Sequence, residues 1–479
     1  MTRQIPSKTL LLFNYDWDAE GFARLAQSQV QFDQRGFDLF SFPSNANLVL
    51  FDLDKFVDKL ARQAKAQGWT AVSSQHEQFG ALAAALLAQK MGWPGTPPQA
   101  VVACQHKLYA REVLQQLCPD ANTSFQRLPA AYNQKIPDGL SYPCFVKPVK
   151  AAFSVLAKVM HSREELQRFT RFGAYELWVI KRLVEPFERI AKRLLPQAGS
   201  AHSMMLETAV NAKQYCLDGI ALDGAIRPLG VVDAVMYPGT QAFMRFDYPS
   251  QLNSTVQARA LDVARTFLGA IGYTHGFFNM EFFYDAELDE LTVVEFNPRM
   301  ASQFADLYLR VDGLDFYPMA LALAHGDDPW AVPRRAPTAG AATSAVYRVF
   351  DESAATLPQV IPAMPSHAQL SQLNATFADA ILLQYPKAGH ALARDFKWLG
   401  SYRYGILHLG GRDAPDLRQR CAAASEILQW RLPYADALRL KASQETFLHS
   451  ADSHYPSHPS HPSHPSHPVT TTVNPWNLT

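Results

Sequence analysis

The chain is short of several things, and each absence removes a class of function. It has no excess of either charge: 44 Lys and Arg stand against 44 Asp and Glu. No global basic field therefore exists to gather nucleic acid or anionic lipid. No apolar run approaches the roughly 18 residues that a membrane helix needs. The opening MTRQIPSKTLLLFNYDWD has an apolar stretch too short for a signal peptide and meets acidic residues early. Cysteine is sparse: Cys104, Cys118, Cys144, Cys216 and Cys421 are scattered, odd in number and without CxxC spacing. That disfavours a disulfide framework or a zinc site and favours a reducing interior. A soluble, cytoplasmic protein is the expectation. TLLLFNYDWDAEGF lacks the G-x-G-x-x-G of a dinucleotide-binding turn. GTQAF and GGRD do not form a nucleophile elbow, and no Ser–His–Asp or Cys–His arrangement stands out.

What is present is globular. With 479 residues, 48% hydrophobic and 18% charged, the chain can build two or three cores. TLLLFNY, FDLFSF and TAVSSQ read as strands; the segment from Ala19 to Gln34, FVDKLARQAKAQG and FGALAAALLAQKMG read as helices between and after them. Such alternation implies a parallel sheet covered on both faces. The turn formers of GWPGTPPQA mark a boundary, after which HKLYAREVLQQL is helical with Tyr109, Val113 and Leu117 on one stripe. The middle of the chain is strand-rich and antiparallel in character: YPCFVKPV, SMMLETAV, QYCLDGIAL, PLGVVDAVMY, FFNMEFFYD and LTVVEFNP. PWAVPRRAP reads as a second linker. SAVYRVF, YRYGILHLGG and DLRQRCAAASEIL then mix strand and helix again. The tail SHYPSHPSHPSHPSHP repeats Ser-His-Pro, whose regular proline blocks helix and sheet. It reads as a disordered repeat, with metal binding by its histidines as the rival reading. The expected division is 1–105, a Rossmann-like domain; 106–330; 338–448, a smaller α+β module; and the tail, 449–479.

One hairpin carries chemistry. FFNMEFF and TVVEFNP are joined by the polar YDAELDEL. Pairing Tyr284 with Thr292 sets Glu281 opposite Glu295 and Asn279 opposite Asn297. Alternation sends Phe278, Met280, Phe282, Val294 and Phe296 to the other face, into a core. Like charges directly opposed on a sheet are destabilising. Either one carboxylate carries a proton or a cation lies between them. Carboxylate and amide oxygens suit Mg²⁺ or Mn²⁺, and a sparse protein ligand set suits Mg²⁺ bound together with phosphates. Arg299, two residues beyond Asn297, can meet phosphate oxygens or a carboxylate on the same metal. Lys147 alternates with Phe145 and Val149 on a strand, and a lone lysine there calls for an anion.

These segments resemble the ATP-grasp superfamily. VVEFNPR after FFNMEFF is similar to its metal-binding E-x-N-x-R end. GALAAALLAQKMGWPGTPPQAVVACQHKLYAREVL resembles its junction where a lysine opens a helix, and YPCFVKPV the strand with a second lysine. MLETAV and QYCLDGIALDG resemble its adenine hinge and the following strand. The match runs over residues 70 to 330 and is nearest the biotin-carboxylase-like and carboxylate–amine ligase branch. It implies an ATP-grasp domain over 106–330, with ATP and Mg²⁺ (or Mn²⁺) as cofactors. It implies that Lys107 and Lys147 contact nucleotide phosphates and that Glu207, or backbone beside it, reads the adenine. Glu281, Glu295 and Asn297 would bind the metal, and Arg299 would contact phosphate or an acyl phosphate. Two departures stand out. The family's glycine-rich phosphate loop is replaced by KAAFSVLAK, with Ser154 as its polar candidate, and Gln214 stands where a ribose-binding glutamate is usual.

The resemblance implies an ADP-forming ligase that joins a small carboxylic acid to an amine. A biotin-carboxylase-type carboxylation and a non-catalytic nucleotide-binding scaffold are the rival readings. Arg245, His275, Tyr308 and Arg310 are candidates to orient the acid, with a hydrogen-bonded turn as the plainer role for His275.

Overall fold

The computed structural model describes residues 8–27, 30–39, 44–151, 156–351, 360–386, 392, 395–396 and 399–430. Ser154 and the Ser-His-Pro tail lie outside them. Among the described residues the five cysteines are free, and no helix is long and apolar enough to cross a membrane.

Among the described residues, fifteen strands form three sheets. The first contains β1 (Lys8–Leu12), β2 (Gln31–Arg35) and β3 (Trp69–Ser73), all parallel, in the order β2-β1-β3. The helix expected from Ala19 to Gln34 is shorter: α1 ends at Gln27, and Gln31–Arg35 is a strand; of the expected strand FDLFSF, residues 37–39 are not strand and residues 40–42 lie outside the described residues. Strand β2 is an edge strand with three of its five positions exposed, so it offers no apolar run to read. Helix α2 (Leu53–Gln67) is framed by an Asp52 N-cap and by Gly68 at φ 72°, the left-handed turn that ends a helix cleanly. Helices α3 (Gly80–Met91) and α4 (Pro98–Gln105) follow; nearly every position of α4 is buried, so neither face shows a polar stripe.

Helix α5 (Lys107–Leu117) begins where the His106 side chain accepts a hydrogen bond from the Tyr109 amide. It buries Leu108, Ala110, Arg111 and Leu114, not the Tyr109–Val113–Leu117 stripe, and Leu117 is exposed. The reason is Arg111, which turns inward to an acidic partner and rotates the helix accordingly. The second sheet is antiparallel: β4 (Phe125–Arg127), β5 (Cys144–Pro148), β6 (Lys158–Met160) and β7 (Met204–Thr208), in the order β4-β7-β5-β6. Helices α6 (Arg163–Phe169) and α7 (Ala174–Leu194) lie between β6 and β7 in the chain.

The third sheet holds β8 (Lys213–Leu222), β9 (Ala225–Met236), β10 (Phe243–Tyr248), β11 (Gly276–Asp285), β12 (Glu290–Asn297), β13 (Ala341–Phe350), β14 (Ile381–Gln384) and β15 (Ser401–Gly411). Their order is β12-β11-β8-β9-β10-β13-β15-β14. The stretch beyond residue 338 thus extends the same sheet rather than starting another. Helix α8 (Ser254–Ala270) covers one face, where Phe267 stacks on Phe296 at 4.0 Å. Helices α9 (Ala305–Asp312) and α10 (Phe316–His325) cover the other and pack toward the first sheet. Helices α11 (His367–Thr376) and α12 (Ala414–Leu428) close the core beneath β13 and β15. The three sheets meet around a cavity of about 2920 Å³, lined by the loops that follow β1 and β3, by β5 and β7, and by β11 and β12.

Candidate active site

The hairpin β11–β12 fixes the site's geometry. Glu281 pairs with Glu295, and Asn279 with Asn297. The anchoring pair Tyr284–Thr292 is off by one, since Tyr284 faces Leu291. A bulge between Glu281 and Phe282 takes up the extra residue, so Val293 rather than Val294 enters the core. The bulge also frees backbone carbonyls toward the cavity. Val293 O accepts from Arg111 at 2.6 Å, and Val294 O accepts from Arg111 at 3.1 Å and from Lys147 at 3.5 Å.

The two facing carboxylates have opposite surroundings. Glu281 accepts from the Gln214 amide at 2.8 Å and from the Asn297 amide at 3.2 Å, both neutral donors. Burial, with the Glu295 charge beside it, holds its pKa well above the usual carboxylate range. Glu295 meets Lys107 Nζ at 2.6 Å. Burial opposes its charge, but Lys107 and Lys147 outweigh burial and hold its pKa low. The arrangement is what two like charges must adopt in a half-dry site: one neutral, one paired.

Lys107 opens α5 and is tied twice to the residues that follow β5. Its amide donates to Val149 O at 3.1 Å and its ammonium to Ala151 O at 3.1 Å. Lys147 lies on β5 with its ammonium 2.9 Å from Glu207 on the neighbouring strand β7. Arg111 reaches the other oxygen of Glu207 at 2.7 Å. Burial opposes the Glu207 charge, but Arg111 and Lys147 outweigh it and depress the pKa. The Glu207 carboxylate is thus held by two cations, while the backbone from Thr208 to Ala212 lines the cavity beside it. Gln214 lies within the same cluster, bonded to Glu281.

Arg299 follows β12 and places its guanidinium 2.8 Å from Glu77. Glu77 was not visible to sequence reasoning. It sits in the loop after β3 with Gln75, whose side chain accepts from the Met300 amide at 2.8 Å. The available signal was position: in open parallel sheets, ligand groups collect at the carboxyl ends of strands. Lys150, also missed, is buried nearby and donates to Glu77 O at 3.4 Å.

None of the four residues proposed to orient an acid lines the cavity. His275 donates from Nε2 to Leu323 O on α10 at 2.7 Å, a buried structural contact. Tyr308 bonds Asp218, Arg310 pairs with Asp306 and Asp379, and Arg245 pairs with Asp247. Besides Arg111 and Arg299, the cavity is lined by Arg348 and Arg403, directly opposed on β13 and β15. Arg403 lies 4.3 Å from the Tyr385 ring and 5.5 Å from the Trp17 ring. Burial, and then Arg403, bring the Arg348 pKa down to about 10.

Among the described residues no cluster of three or more His, Cys, Asp or Glu side chains forms a metal cage. Two carboxylates and an amide are instead a partial, hard-oxygen set, which fits a cation that completes its shell with water and phosphate oxygens. Two carboxylates facing each other repel when both are ionised, and a cation between them would relieve that repulsion.

No protein-family model matches the sequence, and no curated protein matches it. Solved structures do. The L-amino acid ligase from Bacillus licheniformis aligns with a TM-score of 0.62 at 13% identity, covering 88% of this chain and 96% of that one. The carboxyaminoimidazole ribonucleotide synthase from Aspergillus clavatus, complexed with ATP, gives 0.60 at 13%, over 89% and 99%. The biotin carboxylase from Campylobacter jejuni, as a β-γ-ATP complex, gives 0.55 at 14%, over 88% and 92%. At these identities the likeness is one of fold.

Proposed function

We propose that this chain, which has the ATP-grasp fold, is an ATP-dependent carboxylate–amine ligase. The observation that carries the reading is the pairing of Glu281 with Glu295 in a cavity that also holds Lys107, Lys147 and Arg299, with Asn297, which is not part of the cavity lining, donating to Glu281. In this reading Glu281, Glu295 and Asn297 hold Mg²⁺ or Mn²⁺, which would neutralise phosphate charge and orient the nucleotide. Lys107 and Lys147 contact the phosphates. The Glu207 carboxylate positions Lys147, and the backbone that follows it reads the adenine. Gln214 holds Glu281 in place.

A carboxylate oxygen of the acid attacks the γ-phosphorus in line, and ADP leaves. The amine nitrogen then attacks the acyl carbon of the resulting acyl phosphate, phosphate departs, and the nitrogen loses a proton. No protein nucleophile is needed. The chain's part is positioning and charge compensation, with Arg299 facing the transferred phosphoryl group. The cavity's size supports several ligands, since single-ligand pockets run to about 1,000 Å³. Arg348 and Arg403 supply the acid's anchor. Two opposed guanidinium groups repel each other, and a carboxylate set between them relieves that repulsion.

The test is a matrix of small acids and amines with Mg–ATP, read as ADP and phosphate release. Release that needs both an acid and an amine supports the proposal. Release driven by bicarbonate alone favours carboxylation. Mg–ATP binding without turnover across the matrix favours a nucleotide-binding scaffold.

A further inference from the structure

Strand β5 runs from Lys147 through Pro148 into a bend at Val149 and Lys150. The bend turns Lys150 inward, and it is only 2% exposed. Among the described residues its ammonium has one hydrogen bond, to Glu77 O at 3.4 Å, and it lies 5.1 Å from the Phe187 ring on α7. That is poor compensation for a buried cation: one long bond to a neutral carbonyl and one aromatic face. The groups that set its field are those of the site. Glu77 and Glu295 favour its charge; Lys107, Arg299 and, if protonated, His76 oppose it. Burial dominates and brings the pKa down to about 7. A lysine kept for stability would be given a carboxylate or a path to water.

The sequence that follows Lys150 bears on what it is for. From Ala151 to Lys158 there is no glycine. Backbone amides cradle phosphate when residues adopt alternating right- and left-handed conformations, which glycine permits and β-carbons resist. A lysine at the loop's root supplies a charged donor without that backbone geometry. We infer that Lys150 is a third phosphate-binding lysine, which contacts the terminal phosphates of the nucleotide in place of the loop amides. The inference rests on the nucleotide reading of the cavity given above.

Titration calorimetry of the full chain with Mg–ATP and with AMP tests it, comparing wild type with Lys150→Met and Lys150→Arg. Loss of a charge-assisted contact should weaken Mg–ATP binding by about ten- to a hundredfold in Lys150→Met. AMP, which lacks the terminal phosphates, should bind both proteins alike. Lys150→Arg should keep most of the ATP affinity. The thermal midpoint of Lys150→Met should match or exceed that of wild type, because a poorly compensated buried charge has gone. Wild type that binds Mg–ATP, with Lys150→Met within threefold of it or weakened equally for AMP, would overturn this inference alone. Wild type that binds no Mg–ATP would overturn the ligase reading, and this inference with it.

Discussion

The opposed glutamates should respond differently to the same small change. Glu281→Gln and Glu295→Gln each remove one carboxylate from a facing pair. In Glu295→Gln, Lys107 loses a partner at 2.6 Å and keeps only the Ala151 carbonyl. Breaking one side of a buried ion pair costs about 3–5 kcal/mol. The side chains of Lys107 and Glu295 are 12% and 21% exposed, so water softens the loss to about 2–3 kcal/mol. In Glu281→Gln the neutral amide replaces a carboxyl group that burial already pushes toward neutrality. Gln214 and Asn297 remain as neighbours, and the repulsion of Glu295 is gone. The expected change is within about 1 kcal/mol of zero. Activity should not follow stability. Both variants lose an oxygen donor of the proposed cation site, so Mg-dependent ADP formation should fall by roughly a hundredfold or more in each. Urea unfolding followed by tryptophan fluorescence, beside a coupled ADP assay, measures both quantities on the same preparations. Equal destabilisation of the two variants would refute the assignment of unlike surroundings. Full turnover in either would refute the metal site.

The buried triad gives a pH prediction. Arg111 and Lys147 hold the Glu207 pKa below its ordinary value. A depressed native pKa adds stability that is present above about pH 4.5 and lost as pH falls through the native pKa. Glu207→Gln should therefore be less stable than wild type at pH 7, by about 3–5 kcal/mol, and the gap should close on acidification, as acid-unfolding curves would show. The opposed arginines give a kinetic one. Arg403→Ala and Arg348→Ala should each raise KM for the acid by about ten- to a hundredfold, with KM for ATP unchanged in the same steady-state assay.

The sequence displayed this site where period-2 alternation crossed chemistry that a strand does not need. Glu281, Glu295, Asn297 and Lys147 each interrupt an apolar strand, so their faces could be assigned before any distance was known. The register near the turn was not legible, because a bulge follows backbone geometry and leaves no mark in the pattern of Val293 and Val294. Arg111 was hidden for a different reason. Hydrophobic periodicity counts it as a surface residue, whereas Glu207, 96 positions away, draws it into the core. Glu77 and Lys150 lie in loops, where periodicity carries no information. The three strands that continue the large sheet after residue 338 looked like a separate module because a sheet's continuation is a pairing between distant segments, β10 with β13. Local pattern cannot record it.

The network also says why the site can be stable and still exchange partners. Glu207 is shared by Arg111 and Lys147, and Glu295 is bound by Lys107. On the proposed function, a nucleotide phosphate draws Lys107 away from Glu295, and Glu295 then serves the cation that travels with the phosphate. One ion pair is traded for another, so neither Lys107 nor Glu295 is left without a partner of opposite charge. Lys147 need not let go, since Arg111 keeps Glu207 neutralised while the lysine turns to phosphate. Preorganisation of this kind places the donors before substrate arrives, and it is where such sites draw most of their rate. It follows that Arg111, which touches no substrate in this scheme, should matter to turnover through Lys147's position: a change there moves the lysine, not the ligand.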